Sequence, residues 1–137
     1  MNTHIKKNKY KLQINRYNII TLFYDKTDLT NKKAASWFTS RGIEVHLKNI
    51  RYISKQELLH ILKLSDQGCM DIVKKGTISG ESDDTIYNMT FDEYINYIIG
   101  NPELLKSPII IDDSKLLIGF NSDNIRQFLP SFYRKLG

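Results

Sequence analysis

Hydrophobic and polar positions follow two periodicities along this chain. Apolar residues spaced three or four apart indicate helices, first at Ala34, Trp37 and Phe38. Runs of continuous or alternating apolar residues indicate four β-strands, at residues 18–24, 43–50, 109–111 and 115–120. The elements follow in the order strand, helix, strand, a helical insert over about residues 54–105, then strand, strand, helix. This order predicts an α/β fold with a four-stranded mixed sheet.

Residues 107–120 predict a β-hairpin at the centre of that sheet. Ile109–Ile111 is too apolar for a half-exposed strand, so both faces of this strand are expected to be covered. Asp112–Ser114 supplies turn residues, whose side chains bond their own backbone. Pro108 cannot donate to a strand ladder, which suits the first residue of a strand.

Capping signals predict where the helices begin and end. Ser54 with Glu57, and Thr90 with Glu93, have the capping-box pattern, in which each side chain bonds the backbone N–H of the other residue. Gly42 stands where a helix ends in a left-handed residue. These caps predict helices after residues 54 and 90 and one before residue 42.

The end of the chain predicts a further helix. It is expected to be capped by Asn121 or Ser122, to bury Ile125, Phe128 and Leu129, and to end at Pro130. Residues 76–88 are the most polar interior stretch and predict a loop. A parallel βαβ unit, a helical insert and an antiparallel ββα unit together make the thioredoxin architecture.

Composition places the chain among ordinary soluble proteins, with 137 residues, 41% hydrophobic and 26% charged. We assign residues 1–17, rich in lysine and asparagine, to an N-terminal extension and residues 18–137 to one domain. The N-terminus has no apolar run behind its positive charges, so we expect neither a signal peptide nor a membrane anchor. A single cysteine fits a reducing compartment, and we expect a cytoplasmic protein.

The net charge of +5 permits a polyanionic partner without requiring one. The basic residues are scattered in short pairs, and they form no stripe interleaved with aromatic residues. Lys32, Lys33, Arg51, Lys74 and Lys75 are the residues that would form a basic surface, although exposed charges are usually only solvated.

Few residues suggest catalysis or metal binding. His4, His46 and His60 have no metal-ligand spacing, so we predict no metal site and no cofactor. Cys69 has neither a second cysteine nor a histidine beside it in the sequence. We interpret it as a plain buried thiol rather than a reactive one.

The stretches Leu104–Asp112 and Leu117–Pro130 carry a proline-led Ile-Ile-Ile-Asp hairpin and a helix that ends in Phe-Leu-Pro. They closely resemble the Spx family, transcription regulators of low-GC Gram-positive bacteria in the arsenate reductase (ArsC)-like branch of the thioredoxin fold. The resemblance extends over about residues 18–130. It implies a thioredoxin-like fold in which Pro108 faces the N-terminus of the first helix, commonly with a cis peptide bond.

The chain departs from the Spx pattern at the positions that carry chemistry. Asp28 and Asn31 match the Cys-x-x-Cys pair of the family, so both thiols are absent. A helix N-terminus lowers the pKa of a thiol, whereas an aspartate there is an ordinary helix cap. Arginines used by the family are matched by Gly76, Lys106 and Ser107, so an oxyanion site would lack its guanidinium groups.

One segment that the resemblance connects with a partner is retained. It comprises Lys63, Leu64, Ser65, Asp66, Gln67 and Gly68. In Spx the matching glycine and its neighbours lie against the C-terminal domain of the RNA polymerase α subunit. A glycine in an exposed turn permits close approach of another protein. Simple turn chemistry is the other interpretation of Gly68, and both remain open.

The resemblance therefore implies a non-enzymatic, Spx-like transcription regulator that binds the polymerase α subunit without a cysteine redox switch. We expect a monomer that touches promoter DNA only indirectly, with no membrane contact. One alternative is an arsenate reductase-like or thiol-disulfide oxidoreductase. Another is an inactive competitor of a Spx paralogue.

Overall fold

The computed structural model describes residues 19–75 and 88–130. Four strands form one sheet: β1 (Thr21–Tyr24), β2 (His46–Asn49), β3 (Ile109–Ile111) and β4 (Leu116–Ile118). The helices are α1 (Leu29–Ser40), α2 (Lys55–Leu64), α3 (Cys69–Ile72) and α4 (Phe91–Gly100). Short 3-10 helices lie at Ile50–Tyr52, Pro102–Leu104 and Asn124–Phe128. None of the helices in these two ranges is long and apolar enough to cross a membrane.

The sheet is mixed, with the strand order β2-β1-β3-β4. β1 pairs in parallel with β2 and antiparallel with β3, and β3 pairs antiparallel with β4. The predicted four-stranded, thioredoxin-like α/β fold with its helical insert is therefore confirmed. The hairpin at residues 107–120 is also confirmed, and its first strand occupies an interior position in the sheet.

The sheet separates two apolar cores, and β3 contributes to both. Ile109 and Ile111 pack into the core formed with α2, α3 and α4. Ile110 packs into the core formed with α1 and the last 3-10 helix. All three isoleucines are buried, so the expectation that both faces of this strand are covered is correct. Each such side chain contributes roughly 1.5–3 kcal/mol to stability.

The predicted capping residues lie at the starts of α2 and α4 and after the end of α1. Both capping boxes form, at Ser54 with Glu57 and at Thr90 with Glu93. Gly42 follows α1 with φ 66°, the left-handed conformation predicted for it. The helices with clear capping signals in the sequence therefore begin or end close to the predicted residues.

Three strands are shorter than predicted. The N–H of Ile43 donates to the carbonyl of Phe38 at 3.0 Å, so this residue still belongs to the end of α1. Strand pairing starts only at His46, which lies opposite Thr21 in the register. This leaves β2 at residues 46–49 rather than 43–50, and β1 at residues 21–24 rather than 18–24. β4 is likewise confined to residues 116–118 rather than 115–120.

The last helix is a five-residue 3-10 helix, Asn124–Phe128, rather than an α-helix. Its N-cap is Asp123, which makes no side-chain capping bond, rather than the predicted Asn121 or Ser122. The side-chain oxygen of Asn121 instead accepts the N–H groups of Asp123 and Asn124 in the turn that leads into the helix. Pro130 disfavours helical geometry at Leu129, whose ψ is 140°. The 3-10 helix therefore ends at Phe128. The predicted extension at residues 1–17 and most of the predicted loop, residues 76–87, lie outside the described residues.

Candidate functional site

The turn between α2 and α3 contains the residues expected to contact a partner. The hydroxyl of Ser65 donates to the carbonyl of Leu62 at 2.9 Å and ends α2. Asp66 and Gln67 follow and are exposed. The N–H of Gln67 donates to Oδ2 of Asp71 at 2.8 Å. Side-chain hydrogen bonds therefore hold both ends of the turn and present its exposed residues in a defined conformation.

Gly68 gives this turn an open surface. Its φ of 62° and ψ of −132° lie where an L side chain is strained. A Cβ at this position would meet no heavy atom of the described residues within 4 Å. Met70 lies two residues further on and is 70% exposed. Of the other five expected contact residues, Lys63, Asp66 and Gln67 are exposed, and Leu64 and Ser65 are half-buried.

Cys69 lies beside this surface and is half-buried rather than fully buried. Burial raises the pKa of its thiol, although a hydrogen bond with Tyr94 opposes the shift. Burial, together with the neighbouring Cys69, raises the pKa of Tyr94 to about 12. The thiol is therefore protonated at neutral pH, whereas thiolate is the nucleophilic form. No cluster that could hold a metal ion occurs within residues 19–75 and 88–130.

The N-terminus of α1 carries Asp28 and Asn31, the two residues that the resemblance to the Spx family aligns with its cysteines. Asp28 is its N-cap, and Oδ1 accepts the N–H of Thr30 at 2.9 Å. Asn31 is 4% exposed, and its side-chain oxygen accepts the N–H of Asp25 at 2.9 Å. The interpretation of Asp28 as an ordinary helix cap is confirmed, and Asn31 secures the loop that leads into α1.

Ser107 joins this helix end to the hairpin. Its hydroxyl accepts a hydrogen bond from Nδ2 of Asn31 at 3.3 Å and donates one to Oδ2 of Asp28 at 3.4 Å. The following peptide bond, Ser107–Pro108, is cis, as the resemblance implied. Asp28, Asn31 and Ser107 thus form a polar network of carboxylate, amide and hydroxyl groups at the start of α1. Such groups stabilise loops and carry no thiol chemistry.

A second polar group lies nearby, at Asp25. The backbone N–H and the hydroxyl of Thr27 hold the pKa of this carboxyl below its usual value, and Lys74 and Arg51 lower it further. A cavity of about 370 Å³ opens beside it and is lined in part by Arg51 and Tyr52, which is 71% exposed. Arg51 and Lys74, two members of the basic surface considered from the sequence, thus both lie close enough to Asp25 to lower its pKa.

The start of α1 and the turn after α2 come together near Ser107, at one end of the sheet. Ser107 contacts Asp28 and Asn31, and it also lines a groove with Leu64 and Asp66. Sequence reasoning identified the two sets separately and missed Ser107 as the residue between them. A serine before a proline carries no local signal of such a role, because its partners lie more than 70 positions away. Gly76, matched to a family arginine, lies outside the described residues.

Comparisons with known proteins agree with this architecture. A family model described as the ArsC family matches residues 30–128. The global transcriptional regulator Spx of Streptococcus mutans is 36% identical over 120 residues, which cover 85% of this chain and 88% of that protein. A protein of the same name from Streptococcus pyogenes is 32% identical over 120 residues, covering 85% of this chain and 90% of that protein.

A solved structure supports the fold independently. The crystal structure of an ArsC family related protein from Bacteroides fragilis matches with a TM-score of 0.64 at 20% sequence identity. The match covers 80% of this chain and 97% of that protein. At this identity the likeness shows the shared fold.

Proposed function

Because this chain belongs to the ArsC family and to its Spx branch, we propose that it is a transcription regulator that docks on the C-terminal domain of the RNA polymerase α subunit. The docking surface is formed by residues 63–68. The observation that carries the proposal is the open turn at Gly68. Two relatives that match most of the chain are named as global transcriptional regulators, which supports the same class of function.

The geometry of the turn suits a rigid protein–protein contact. Gly68 presents backbone without a side chain, so a partner's side chain or backbone can approach closely. Asp66 and Gln67 offer polar groups for the rim of the contact, and the exposed Met70 offers apolar surface. Because the turn is already held by its own hydrogen bonds, binding requires little ordering of the chain.

Charge contributes to the rate of association rather than to the contact itself. Lys63, Lys74 and Lys75 are exposed at or after the turn. Such groups steer an acidic partner toward the surface and lose influence as salt screens them. The contact with promoter DNA is indirect and passes through the polymerase.

The same regulator works without a cysteine redox switch. Asp28 and Asn31 form hydrogen bonds where a switch would need two thiols. Cys69 is the only cysteine of the chain, so it has no intramolecular partner for a disulfide. Transcription driven by this protein in a purified system is expected to be equal in reducing and oxidising buffer.

A pull-down with the purified C-terminal domain of the α subunit tests the docking. Wild-type protein is expected to bind, and Gly68→Arg is expected to abolish binding because a long side chain fills the open surface. Gly68→Ala is the control for backbone strain, since it places a Cβ at the same φ with little bulk. Gly42→Arg is the control for charge, since this glycine also has a positive φ and open space around it.

The pattern across these variants decides the proposal. Binding that survives in Gly68→Ala and Gly42→Arg but not in Gly68→Arg supports docking through this turn. Equal binding by all four proteins, or none by the wild type, contradicts it. Circular dichroism establishes that each variant is folded at the assay temperature.

A reductase is the alternative that the ArsC family brings with it. The family nucleophile is a cysteine at the start of the first helix, and aspartate stands there in this chain. Arsenate or glutathione-linked reduction that disappears in Cys69→Ser would favour this alternative. A competitor of a Spx paralogue would bind the polymerase domain yet lower paralogue-dependent transcription, which the same purified system measures.

A further inference from the structure

β4 forms one edge of the sheet, and only its β3 side is paired. Two backbone hydrogen bonds flank this pairing. The N–H of Asp112 donates to the carbonyl of Lys115 at 3.0 Å, and the N–H of Gly119 donates to the carbonyl of Pro108 at 2.7 Å. In an antiparallel ladder, hydrogen-bonded residues alternate with residues whose N–H and C=O groups point away. The backbone N–H and C=O groups of residues 115, 117 and 119 therefore point toward β3.

It follows that Leu116 and Ile118 direct their backbone groups outward from the sheet. Within residues 19–75 and 88–130, no hydrogen-bond partner exists for these N–H and C=O groups. An open row of donors and acceptors at a sheet edge is a template for another strand. Neither Leu116 nor Ile118 is fully buried, and no strand within residues 19–75 and 88–130 pairs with this edge.

A groove runs beside this edge. Its volume is about 470 Å³, and it is lined by Leu64–Asp66, Asp71, Lys106, Ser107 and Leu116–Gly119. It contains two carboxylates, those of Asp66 and Asp71, and one ammonium group, that of Lys106. The groove therefore combines free backbone groups, apolar side chains of β4 and a net negative charge.

We propose that β4 and this groove bind an extended, basic peptide segment of a partner protein, which adds to the sheet as a fifth strand. Side chains of an added strand point alternately to the two faces of the sheet. Leu116 and Ile118 lie on the face of α2 and α3, where Asp66 and Asp71 also lie. Peptide residues on that face meet carboxylates, and those on the other face lie beside Leu117 and meet apolar surface. The preferred ligand thus alternates basic and apolar residues.

A capped heptapeptide of alternating lysine and valine is the probe, and the readout is residue-specific amide hydrogen exchange by NMR. Saturating peptide is expected to slow exchange at Leu116 and Ile118 at least about tenfold, because their N–H groups gain acceptors. The N–H of Leu117 already bonds to β3 and is expected to change little. A peptide with glutamate in place of lysine is expected to bind at least about tenfold more weakly.

Two N-methylated peptides separate strand addition from simple charge attraction. One carries a methyl group on the backbone nitrogen of every valine, and the other on the backbone nitrogen of every lysine. In an added strand, the backbone N–H groups of either the valines or the lysines point toward β4, but not both. Methylation of the set that points toward β4 removes its hydrogen bonds, so one peptide is expected to lose binding and the other to retain it. Equal affinity of the two peptides overturns the proposal.

Variants of the protein test the same surface. Asp66→Lys is expected to weaken binding of the lysine–valine peptide at least about tenfold. Asp123→Lys makes the same charge change at an exposed position that does not line the groove, and is expected to leave binding unchanged. If the amides of Leu116 and Ile118 in the free full-length protein are already as protected as that of Leu117, the chain itself covers the edge and the proposal fails. No part of the polymerase enters these measurements, so their failure leaves the docking at Gly68 untouched.

Discussion

The side-chain amide of Asn31 donates a hydrogen bond to the hydroxyl of Ser107 at 3.3 Å, across 76 positions of the sequence. The same side chain accepts the N–H of Asp25 at 2.9 Å. One buried amide therefore ties the loop before α1 to the loop before β3. This network includes the two positions at which the resemblance to the Spx family would place a pair of cysteines.

Asn31→Ala is expected to lower the free energy of unfolding by about 1–3 kcal/mol, because it leaves the N–H of Asp25 without its acceptor in a partly buried site. Urea unfolding followed by tryptophan fluorescence measures the change. Asn96→Ala removes an exposed amide from α4 and serves as the control, with an expected change within about 0.5 kcal/mol. Equal midpoints for the two variants would show that the network contributes nothing.

Asp112 closes the hairpin turn, and its removal is expected to weaken the sheet. Its Oδ1 accepts the N–H groups of Ser114 and Lys115 at 2.9 and 2.7 Å, and the side chain is buried. Asp112→Ala is expected to cost about 1–3 kcal/mol of unfolding free energy. The neighbouring Asp113 is exposed, so Asp113→Ala is a matched control with an expected cost within about 0.5 kcal/mol. A larger loss at Asp113 than at Asp112 would contradict this account.

Glu57 makes the stability of the protein depend on pH. Burial opposes ionisation of this carboxyl, but hydrogen bonds from the Lys48 ammonium and from Ser54 outweigh it, and the pKa lies below the usual 4.5. The folded state therefore holds its proton less tightly than the unfolded state. The contribution is present above about pH 4.5 and disappears as the pH falls through the lower, folded pKa.

Glu57→Gln isolates this charge, because glutamine preserves the capping-box geometry. The variant is expected to be less stable than wild type at pH 7 by less than about 1 kcal/mol, since the pair with Lys48 is partly exposed. The difference is expected to narrow below pH 4.5 and in high salt. Urea unfolding at a series of pH values measures it, and a difference that stays constant from pH 7 to pH 3 would refute the linkage.

Cys69 is expected to react slowly with alkylating reagents. Because burial raises its pKa above the usual 9.0, the thiolate fraction at pH 7.5 lies below that of a free cysteine. Mass spectrometry after timed iodoacetamide treatment measures the rate, which is expected to increase when the protein is unfolded in urea. A pH–rate midpoint below 8 in the native protein would place the thiol in the reactive class.

Local signals predicted those features whose partners are close in sequence. Ser54 and Glu57 are three residues apart, so their capping box follows from sequence alone. The buried run at Ile109–Ile111 predicted a strand covered on both faces. The resemblance supplied the cis bond at Pro108, which no local pattern required.

Other features required the tertiary structure. The sequence by itself determined the order of elements, the caps of α2 and α4 and the presence of a single cysteine, Cys69. Only the folded chain decided that Ser107 meets those two residues, that Cys69 is half-buried beside Tyr94, and that β4 ends the sheet with its outer backbone groups open. The physical reason is that these relationships join residues brought together by sheet pairing and packing, which neighbouring residues along the chain do not encode.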